Sequence, residues 1–547
     1  MIRYAQLNGF FSRHRWLRYA LFFAVALAVN SFVLWQRSFA DPDSFYHLKM
    51  ALLLKERGFV ADFPWLPFTT LAHAYADHHF LYHWAMVPFI AVFGPFVGAK
   101  ASAVFFASAA LTAFYRLLRV CRAAAPLFFA ALLATSGTFL FRFDLVKATA
   151  PSLLILFLAL AAWRERKPRL LFLLAWVYVW THGGWPLLLV AAAALATGEF
   201  LSGSIFDGRT GIAWHGLSLR RPSRDIILNL AAIASGLVAG VLVNPYFPRN
   251  LQFYWEQIFQ IAIVGFRDRI GVGSEWYAYP FLELFRAAGT VFVMAGVCLT
   301  IVAYVVLHRR QIKILSGAAD PNERRNAALV FAAVLLTGLF LLLTLRSRRH
   351  VEYFVPFAFL AEALVLGTLW RWFDWQPLRT WIRTGSRSLV VWFVRLALLY
   401  FAVFFAFTMV RGVLGVRKLY EKGYSWTRYQ RAAEWLQTAA VGGEVVFHSD
   451  WDDFPMLFLF NDRQVYVNGL DPTFLYRQDP QLHDEYVEIT TGRMASGAAA
   501  AIRRDFNARF VMIEKDHVAM RDAVAADRRA ALVYDDAEVW IYDLSAL

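Results

Sequence analysis

Apolar runs of about 20 residues recur along this chain, and they restrict it to one class of fold. LRYALFFAVALAVNSFVLW (17–35) and LVVWFVRLALLYFAVFFAFTMV (389–410) are two of them. A helix of that length crosses the hydrocarbon core of a bilayer, which is about 30 Å thick. The chain is 59% hydrophobic and 17% charged, whereas soluble chains are roughly 45–50% and 25%. The sequence therefore predicts a polytopic α-helical membrane protein and excludes a soluble globular enzyme.

The charge of the chain is unevenly divided. Residues 412–547 carry 15 Lys and Arg against 21 Asp and Glu, so the surplus behind the net charge of +15 lies in residues 1–411. In a membrane protein such a surplus first marks cytoplasmic loops. No segment resembles a module that reads bases or stacks them, so no nucleic-acid partner is expected. Cys121 and Cys298 stand far apart in apolar surroundings, which excludes a CxxC metal site and a disulfide framework.

The apolar pattern predicts about eleven spans. They are 17–35, 98–117, 125–141, 148–163, 169–182, 184–201, 226–243, 281–307, 327–345, 351–369 and 388–411. With this count the strongly basic loops and the N-terminus fall on the same side of the membrane. The positive-inside rule identifies that side as cytoplasmic. These loops are 116–122, 163–169, 207–225, 308–313 with 322–326, and 369–388. Segment 79–93 is interpreted as an interfacial or re-entrant helix outside, because a span there would invert every later loop.

A cleavable signal peptide is the alternative for the first span, because Ser38-Phe39-Ala40 resembles a cleavage site. The apolar stretch is longer than a usual signal core, and it ends in Trp35-Gln36-Arg37. We therefore expect the span to remain in an inner (plasma) membrane protein.

The remaining segments are expected outside. They are a large first loop (37–97), the short connections 141–147 and 181–186, a long loop (244–280), the segment 346–353, and the tail. We expect two domains, a membrane domain of residues 1–411 and an extracytoplasmic α/β domain of residues 412–547. The tail shows a helix at 426–437 and strand-like runs at 444–449, 463–468, 509–514, 531–534 and 538–543. Its aromatic and acidic stretch 450–476 is placed to fold back over the membrane opening.

Ionisable residues at span ends are costly near hydrocarbon, so they form a functional hypothesis by default. Asp41 and Asp43 follow the first span, where Asp41 either caps the helix that Pro42 begins or helps to bind a divalent cation in a cavity. His47 lies one turn after Asp43 and favours a polar lining. Asp144, between Arg142 and Lys147, either forms a local salt bridge or joins that cation site.

Two further segments point to the same place. Glu275 lies in GVGSEWYAYP, within a long loop of a kind that is more often functional than passive. Arg346, Arg348, Arg349 and His350 break the positive-inside pattern, and such a cluster suits either phosphate or snorkelling to lipid headgroups. A divalent metal between carboxylates and facing basic groups stabilises a phosphate leaving group, which a lipid substrate would bring in laterally.

At these residues the sequence resembles the GT-C superfamily of membrane glycosyltransferases, and most nearly the catalytic subunit of bacterial and archaeal oligosaccharyltransferase. The resembling motifs occur in order along most of the chain. They are Asp41-Pro42-Asp43-Ser44-Phe45-Tyr46-His47, Asp144, His182-Gly183-Gly184-Trp185, Glu275, Arg346 to Arg349, and SDWDDFPMLFLFNDRQVYVNGLD (449–471).

The resemblance implies a GT-C-like fold and transfer of a sugar or oligosaccharide from a polyprenyl-(pyro)phosphate carrier to an extracytoplasmic acceptor. It also implies roles for individual residues. The catalytic residues would be Asp41, Asp43 and Glu275, and the ligands of Mg2+ or Mn2+ would be Asp43 (or Asp41), Asp144 and Glu275. The carrier phosphate would be held by Arg348, Arg349, His350 and Arg142. The acceptor would be bound by Trp451, Asp452 and Asp453, and the site would be lined by His47, His78, His79, His182 and Tyr353.

The sequence departs from the family at two motifs. The double tryptophan is replaced by Asp450-Trp451-Asp452, and the paired acidic residues after the third span are reduced to Asp144 with Lys147. The acceptor therefore stays open between a protein, a lipid and a glycan. A transporter or flippase of a lipid-linked or anionic substrate is the alternative function, although no repeated halves with broken helices are found. A non-catalytic scaffold would leave the ordered carboxylates unexplained.

Overall fold

The computed structural model describes residues 14–207, 211–212, 223–308, 311, 321–385 and 388–547. The basic N-terminus (1–13) and much of the basic loops predicted at 207–225 and 308–326 lie outside the described residues, as do two residues of the loop 369–388.

Helices make up the membrane part of the chain. They are α1 (Arg15–Leu34), α2 (Asp43–Arg57), α3 (Leu71–Ala74), α4 (Phe80–Phe93), α5 (Pro95–Val120), α6 (Pro126–Thr135), α7 (Gly137–Phe143), α8 (Thr149–Arg164), α9 (Pro168–Thr181), α10 (Pro186–Ile205), α11 (Arg224–Leu242), α12 (Arg249–Tyr254), α13 (Phe281–Ala287), α14 (Gly289–Leu307), α15 (Pro321–Arg346), α16 (Val351–Trp372), α17 (Gln376–Thr384) and α18 (Leu389–Glu421). A π-helix (Trp255–Val264) continues α12, and 3-10 turns stand at Ser274–Trp276 and Arg348–His350.

Seven of the described helices, namely α1, α5, α11, α14, α15, α16 and α18, are long and apolar enough to cross a membrane. An eighth span is obtained if α6 and α7 count together, although they are bent by 70°. The class of polytopic helical membrane protein is thus confirmed, whereas the count of eleven is not. The predicted spans 148–163, 169–182 and 184–201 form shorter apolar helices. The 14 residues of α9, for example, extend only about 21 Å.

The predicted span 125–141 is broken at Ser136, whose backbone is extended (φ −71°, ψ 106°). Helix α18 packs closely there, because a Cβ on Gly412 would overlap the carbonyl of Thr135. Small residues bring other helices together in the same way. Gly236 and Gly240 of α11 leave no room for a Cβ against α9, and Gly198 of α10 leaves none against Ala328 of α15.

The C-terminal part forms an α/β unit, as predicted. Its helices are α19 (Gln430–Ala439), α20 (Phe454–Phe460), α21 (Thr473–Gln478), α22 (Pro480–Thr490), α23 (Ala498–Asp505) and α24 (Val518–Ala525), and a 3-10 turn (Trp451–Asp453) precedes α20. The strands of the chain are β1 (Ser38–Phe39), β2 (Phe206–Asp207), β3 (Gly211–Ile212), β4 (Tyr424–Ser425), β5 (Val445–His448), β6 (Val465–Tyr466), β7 (Ala508–Glu514), β8 (Ala531–Asp535) and β9 (Val539–Asp543).

The main sheet has the strand order β6-β5-β7-β9-β8. Strands β6, β5 and β7 are parallel, while β9 and β8 add antiparallel. All five strands overlap the runs that the sequence predicted. Helix α18 ends at Glu421, past residue 411, where the sequence placed the domain boundary.

The α/β unit is docked onto the first external loop. Strand β1 pairs antiparallel with β4, so Ser38 faces Ser425. The Trp65 indole donates to the carbonyl of Asp462 (2.9 Å), and the Tyr466 amide donates to the carbonyl of Trp65 (2.8 Å). The tail is therefore held against the chain segment that carries Asp41 and Asp43.

Candidate active site

A cavity of about 130 Å³ lies where the ends of several helices meet the loop that carries Glu275. Its wall combines carboxylates with basic groups. The charged residues that line it are Asp43, Arg142, Lys147, Glu275, Arg349, Glu352 and Asp471. The structure therefore brings Asp43, Glu275, Arg142 and Arg349 together, as the sequence predicted, with three charged residues to which the sequence assigned no role in the site.

Lys147 is the basic centre of this cavity. Its Nζ lies 2.7 Å from Oδ2 of Asp43 and 2.8 Å from Oδ2 of Asp41. Helix α2 begins at Asp43 with Pro42 at its cap position and no side-chain cap, so the alternative that Asp41 caps this helix is wrong. Burial raises the pKa of Asp41 to about 6, although the charge of Lys147 opposes that rise.

The loop around Glu275 is fixed by the turn before α16. The Ser347 hydroxyl donates to the carbonyl of Glu275 (2.9 Å), and the Arg348 amide donates to the carbonyl of Tyr277 (3.0 Å). A Cβ on Gly273 would lie 2.6 Å from the Glu275 carboxylate, so a side chain there would displace that carboxylate. Burial alone would raise the pKa of Glu275, but the charges of Lys147 and Arg142 outweigh it and lower that pKa.

Asp144 is not among the residues that line this cavity. Its side chain is fully buried, and neither carboxylate oxygen has a hydrogen-bond partner among the described residues. Arg142 pairs with Glu352 (3.4 Å) and Lys147 with the two aspartates, so the predicted local salt bridge of Asp144 is wrong. Burial raises the pKa of Asp144 well above its ordinary value, which favours a neutral carboxyl group.

The predicted Mg2+ or Mn2+ site can be tested on these positions. A divalent cation needs several oxygen ligands at about 2.0–2.6 Å, and the space between Asp41 and Asp43 is taken by the Lys147 ammonium. The predicted ligands, Asp43 (or Asp41), Asp144 and Glu275, therefore do not fit a metal ion as they are placed. Among the described residues, one group of side chains lies close enough to hold a metal, namely Glu514, Asp516 and His517 at the end of β7.

The two neighbouring arginines point in different directions. Arg349 lines the cavity, and its guanidinium lies over the Trp276 ring at 4.9 Å. Arg348 instead donates to Glu283 (3.1 Å) and stacks over Tyr279 (5.1 Å). Of this pair, only Arg349 is placed to meet a ligand in the cavity.

A second cavity of about 450 Å³ adjoins the first. It is lined largely by apolar residues of the π-helix, such as Ile258, Ile261 and Val264, and by Leu343 and His350. The wall between the two cavities is shared. His78, His182, Gln257, Trp276, Arg349, Glu352 and Asp471 line both, whereas Tyr353 lines the larger one.

A chain of buried hydrogen bonds leads to the first cavity. Asp77 accepts from Nδ1 of His83 (2.7 Å), and Nε2 of His83 lies 2.8 Å from Nδ1 of His47, which lines the cavity. Burial lowers the pKa of His47 well below its ordinary value, so this imidazole is neutral near pH 7. The chain of bonds fixes the ring of His47 against the wall.

The remaining predicted histidines lie beside the Gly183-Gly184 turn. His78, His79 and His182 all line the first cavity. Nδ1 of His182 accepts from the Gly184 amide (2.9 Å), and a Cβ on Gly184 would lie only 2.7 Å from that nitrogen. The glycines therefore allow these rings to pack at the wall.

The residues predicted to bind the acceptor form the turn before α20. Asp453 is held internally, because it accepts from the Tyr429 hydroxyl (2.9 Å), the Ser449 hydroxyl (3.0 Å) and the Asp450 amide (2.9 Å). Burial, together with repulsion from nearby carboxylates that include Asp43 and Asp41, raises the pKa of Asp452 to about 9. Trp451, Asp452 and Asp453 line neither cavity, and their role stays a prediction.

Sequence reasoning missed Asp471, Glu352 and the central place of Lys147. Asp471 is the last residue of the tail motif (449–471), and Glu352 lies in the segment 346–353 beside the arginine cluster, so both were in segments already singled out. Lys147 was interpreted only as a neighbour of Asp144. Its charge at a span end was the available signal.

Comparison with known proteins identifies the fold. No family model matches the chain, and no curated protein does. Solved structures do match. They show that the chain has the GT-C fold of membrane glycosyltransferases, as the resemblance implied. It is the fold of an integral membrane protein.

Three of these structures show the extent of the match. The archaeal oligosaccharyltransferase AglB from Archaeoglobus fulgidus, in complex with an inhibitory peptide and a dolichol-phosphate, is 13% identical with a TM-score of 0.60 over 98% of this chain and 75% of its own. ArnT from Cupriavidus metallidurans, bound to undecaprenyl phosphate, is 15% identical with a TM-score of 0.51 over 96% and 98%. The arabinofuranosyltransferase AftD from Mycobacteria is 15% identical with a TM-score of 0.53 over 97% and 40%. At such identities the matches show the fold alone.

Proposed function

We propose that the protein is a glycosyltransferase that moves a sugar or oligosaccharide from a polyprenyl-(pyro)phosphate carrier to an acceptor on the extracytoplasmic face of the membrane. The observation that carries the proposal is the wall at which a charged cavity meets a larger apolar one. A phosphate headgroup with an isoprenoid tail matches that pair of environments. Two proteins with this fold carry such lipids in their solved structures, AglB a dolichol-phosphate and ArnT undecaprenyl phosphate.

The proposed reaction is an inverting displacement. A nucleophilic atom of the acceptor bonds to the anomeric carbon, while the bond from that carbon to the phosphate oxygen breaks and its electron pair leaves with the phosphate. Arg349 would donate to the phosphate oxygens as their charge grows, since guanidinium groups bind phosphate in a bidentate manner. Asp43 or Glu275, both in the wall, would accept the acceptor proton. No step is assigned to a divalent metal, because Lys147 stands where it would bind.

Carrier binding tests the proposal with a matched pair of variants. Detergent-purified protein is titrated with undecaprenyl phosphate, and the quenching of tryptophan fluorescence is followed. We expect Arg349→Ala to weaken binding about 10- to 100-fold, because a hydrogen bond from a charged group is worth about 1.5–3 kcal/mol. Arg348→Ala should stay within about twofold of wild type, since Arg348 is engaged outside the cavity. Equal losses in the two variants would contradict the assignment of the phosphate to this wall.

The orientation of the protein forms a separate part of the proposal. The basic loops predict a cytoplasmic N-terminus and an extracytoplasmic tail in the inner membrane. A reporter that is active only outside the cytoplasm should therefore be active when fused after Leu547. The same reporter inserted in the loop between α8 and α9 should be silent. The reverse pattern would place the tail in the cytoplasm and remove the extracytoplasmic acceptor.

A further inference from the structure

Three carboxylates and one ammonium define the centre of the charged cavity. Lys147 contacts Asp41 and Asp43 through Oδ2 of each, at distances typical of charge-assisted hydrogen bonds. Glu275 lies in the same wall. Lys147 thus contacts two acidic groups of one segment, and a third acidic group from a second segment lines the same cavity.

We propose that the Lys147 ammonium occupies the place of a divalent cation, so that this cavity holds its acidic groups together without binding a metal ion. Any effect on turnover rests on the glycosyl transfer proposed above, whereas the effect on cation binding does not. The geometry supports exclusion directly. A metal ligated by Oδ2 of both aspartates would lie within about 2.6 Å of each oxygen, and that volume is already filled by Nζ.

The charge of the cavity agrees with a monovalent centre. The wall carries three basic groups, Arg142, Lys147 and Arg349, beside the carboxylates of Asp43, Glu275, Glu352 and Asp471. Arg142 pairs with Glu352 (3.4 Å) and Lys147 with Asp43 (2.7 Å), so two of these carboxylates are already neutralised by side chains of the protein itself.

The third predicted metal ligand is also missing from the cavity. Asp144 is buried elsewhere with both oxygens unpartnered, and it does not line the wall. Lys147, from the same short connection between α7 and α8, reaches the wall instead. The connection therefore supplies a positive side chain at the position where a carboxylate would be needed for a metal.

Binding of Mn2+ to purified full-length protein, followed by the electron paramagnetic resonance signal of free Mn2+, tests the proposal. All proteins carry Asp516→Asn, which removes the group Glu514, Asp516 and His517 as a competing site. In this background we expect no Mn2+ binding that depends on Asp43. The Lys147→Ala variant should gain about one equivalent of Mn2+, because the vacated space leaves carboxylate oxygens as ligands. Adding Asp43→Asn should remove it.

Two outcomes would overturn the proposal. The first is a Mn2+ ion that binds the chain with Lys147 intact and is lost with Asp43→Asn. The second is a folded Lys147→Ala variant that gains no Mn2+, since the ammonium would then not be what excludes the ion. Lys147→Gln serves as a second variant if Lys147→Ala does not elute as a single species in size-exclusion chromatography.

Carrier binding separates this proposal from the proposed function. Undecaprenyl phosphate should bind wild-type protein with the same affinity, within about twofold, before and after treatment with EDTA. If the lipid does not bind at all, the proposed function fails while the Mn2+ results still decide the role of Lys147. If the lipid binds only with added Mn2+, the metal-free cavity is wrong.

Discussion

Charged side chains are arranged differently in the cavity and on the surface of the C-terminal domain. In the cavity, Lys147 is 16% exposed and joins carboxylates from a distant segment of the chain. In the domain, Lys515 pairs with Asp535, which is 54% exposed, and Arg521 pairs with its neighbour Asp522. Exposed pairs contribute about 0–1 kcal/mol, while buried charges need partners to be tolerated at all. Low exposure and long sequence separation therefore set the Lys147 pairs apart from these surface pairs.

The largest expected effect comes from the buried chain of hydrogen bonds beside the cavity. Asp77→Ala removes the acceptor of both the His83 ring and the His79 amide and should destabilise the protein by about 2–5 kcal/mol, because two buried donors are left unpaired. Thermal unfolding in detergent measures the effect. Asp535→Ala on the surface is the control and should change stability by less than about 1 kcal/mol. A similar loss of stability in both variants would show that the buried pair beside the cavity contributes no more than the surface pair.

An intermediate effect that depends on pH is expected at Asp452. Burial raises its pKa from 3.8 to about 9, so between these values the folded chain holds a proton that the unfolded chain releases. Stability therefore falls as pH rises through this window. Asp452→Asn removes that loss and should stabilise the protein by about 1–3 kcal/mol more at pH 8 than at pH 5.

Thermal unfolding at the two pH values measures the difference. The exposed Asp522 provides the control, because its side chain is 62% exposed and its partner Arg521 stays charged at both pH values. Asp522→Asn should show no such dependence on pH. A flat response of Asp452→Asn would mean that this carboxyl is as well hydrated as the surface groups.

The smallest effect concerns the glycines of the Glu275 loop. Gly273→Ala places a methyl group against the Glu275 carboxylate, whereas a Cβ on Gly271 meets nothing within 4 Å. In the Lys147→Ala background we expect Gly273→Ala to weaken Mn2+ binding about tenfold, since a displaced ligand costs about 1.4 kcal/mol or more. Gly271→Ala should leave the affinity unchanged. Equal affinities in the two variants would show that Glu275 does not face the vacated position.

Much of the fold follows from local pattern. The long apolar runs predict the seven long helices, and the short runs of the tail predict the strands of the main sheet. The break at Ser136 could not be predicted, because its cause is the close packing of Gly412 from a helix far along the chain. The short helices α8, α9 and α10 were counted as full spans, since an apolar sequence does not record how much of it faces protein rather than lipid.

The sequence predicted which residues gather at the site better than it predicted how their side chains are arranged. Asp43, Glu275 and Arg349 do share a wall, and their motifs stood at the ends of apolar runs. Asp144 and Lys147 show the limit. They are neighbours in a tight connection, and only the direction of each side chain decides that the lysine enters the cavity while the aspartate is buried behind it.

The pairing of β1 with β4 has a consequence for biosynthesis. Ser38 and Phe39 are made early, but their strand partners Tyr424 and Ser425 follow the last long helix. During translation the strand just before Asp41 lacks its pairing strand until nearly the whole bundle has been inserted. The charged cavity is likewise completed only at the end of synthesis, because Leu470, Asp471 and Phe474 of the tail form part of its wall.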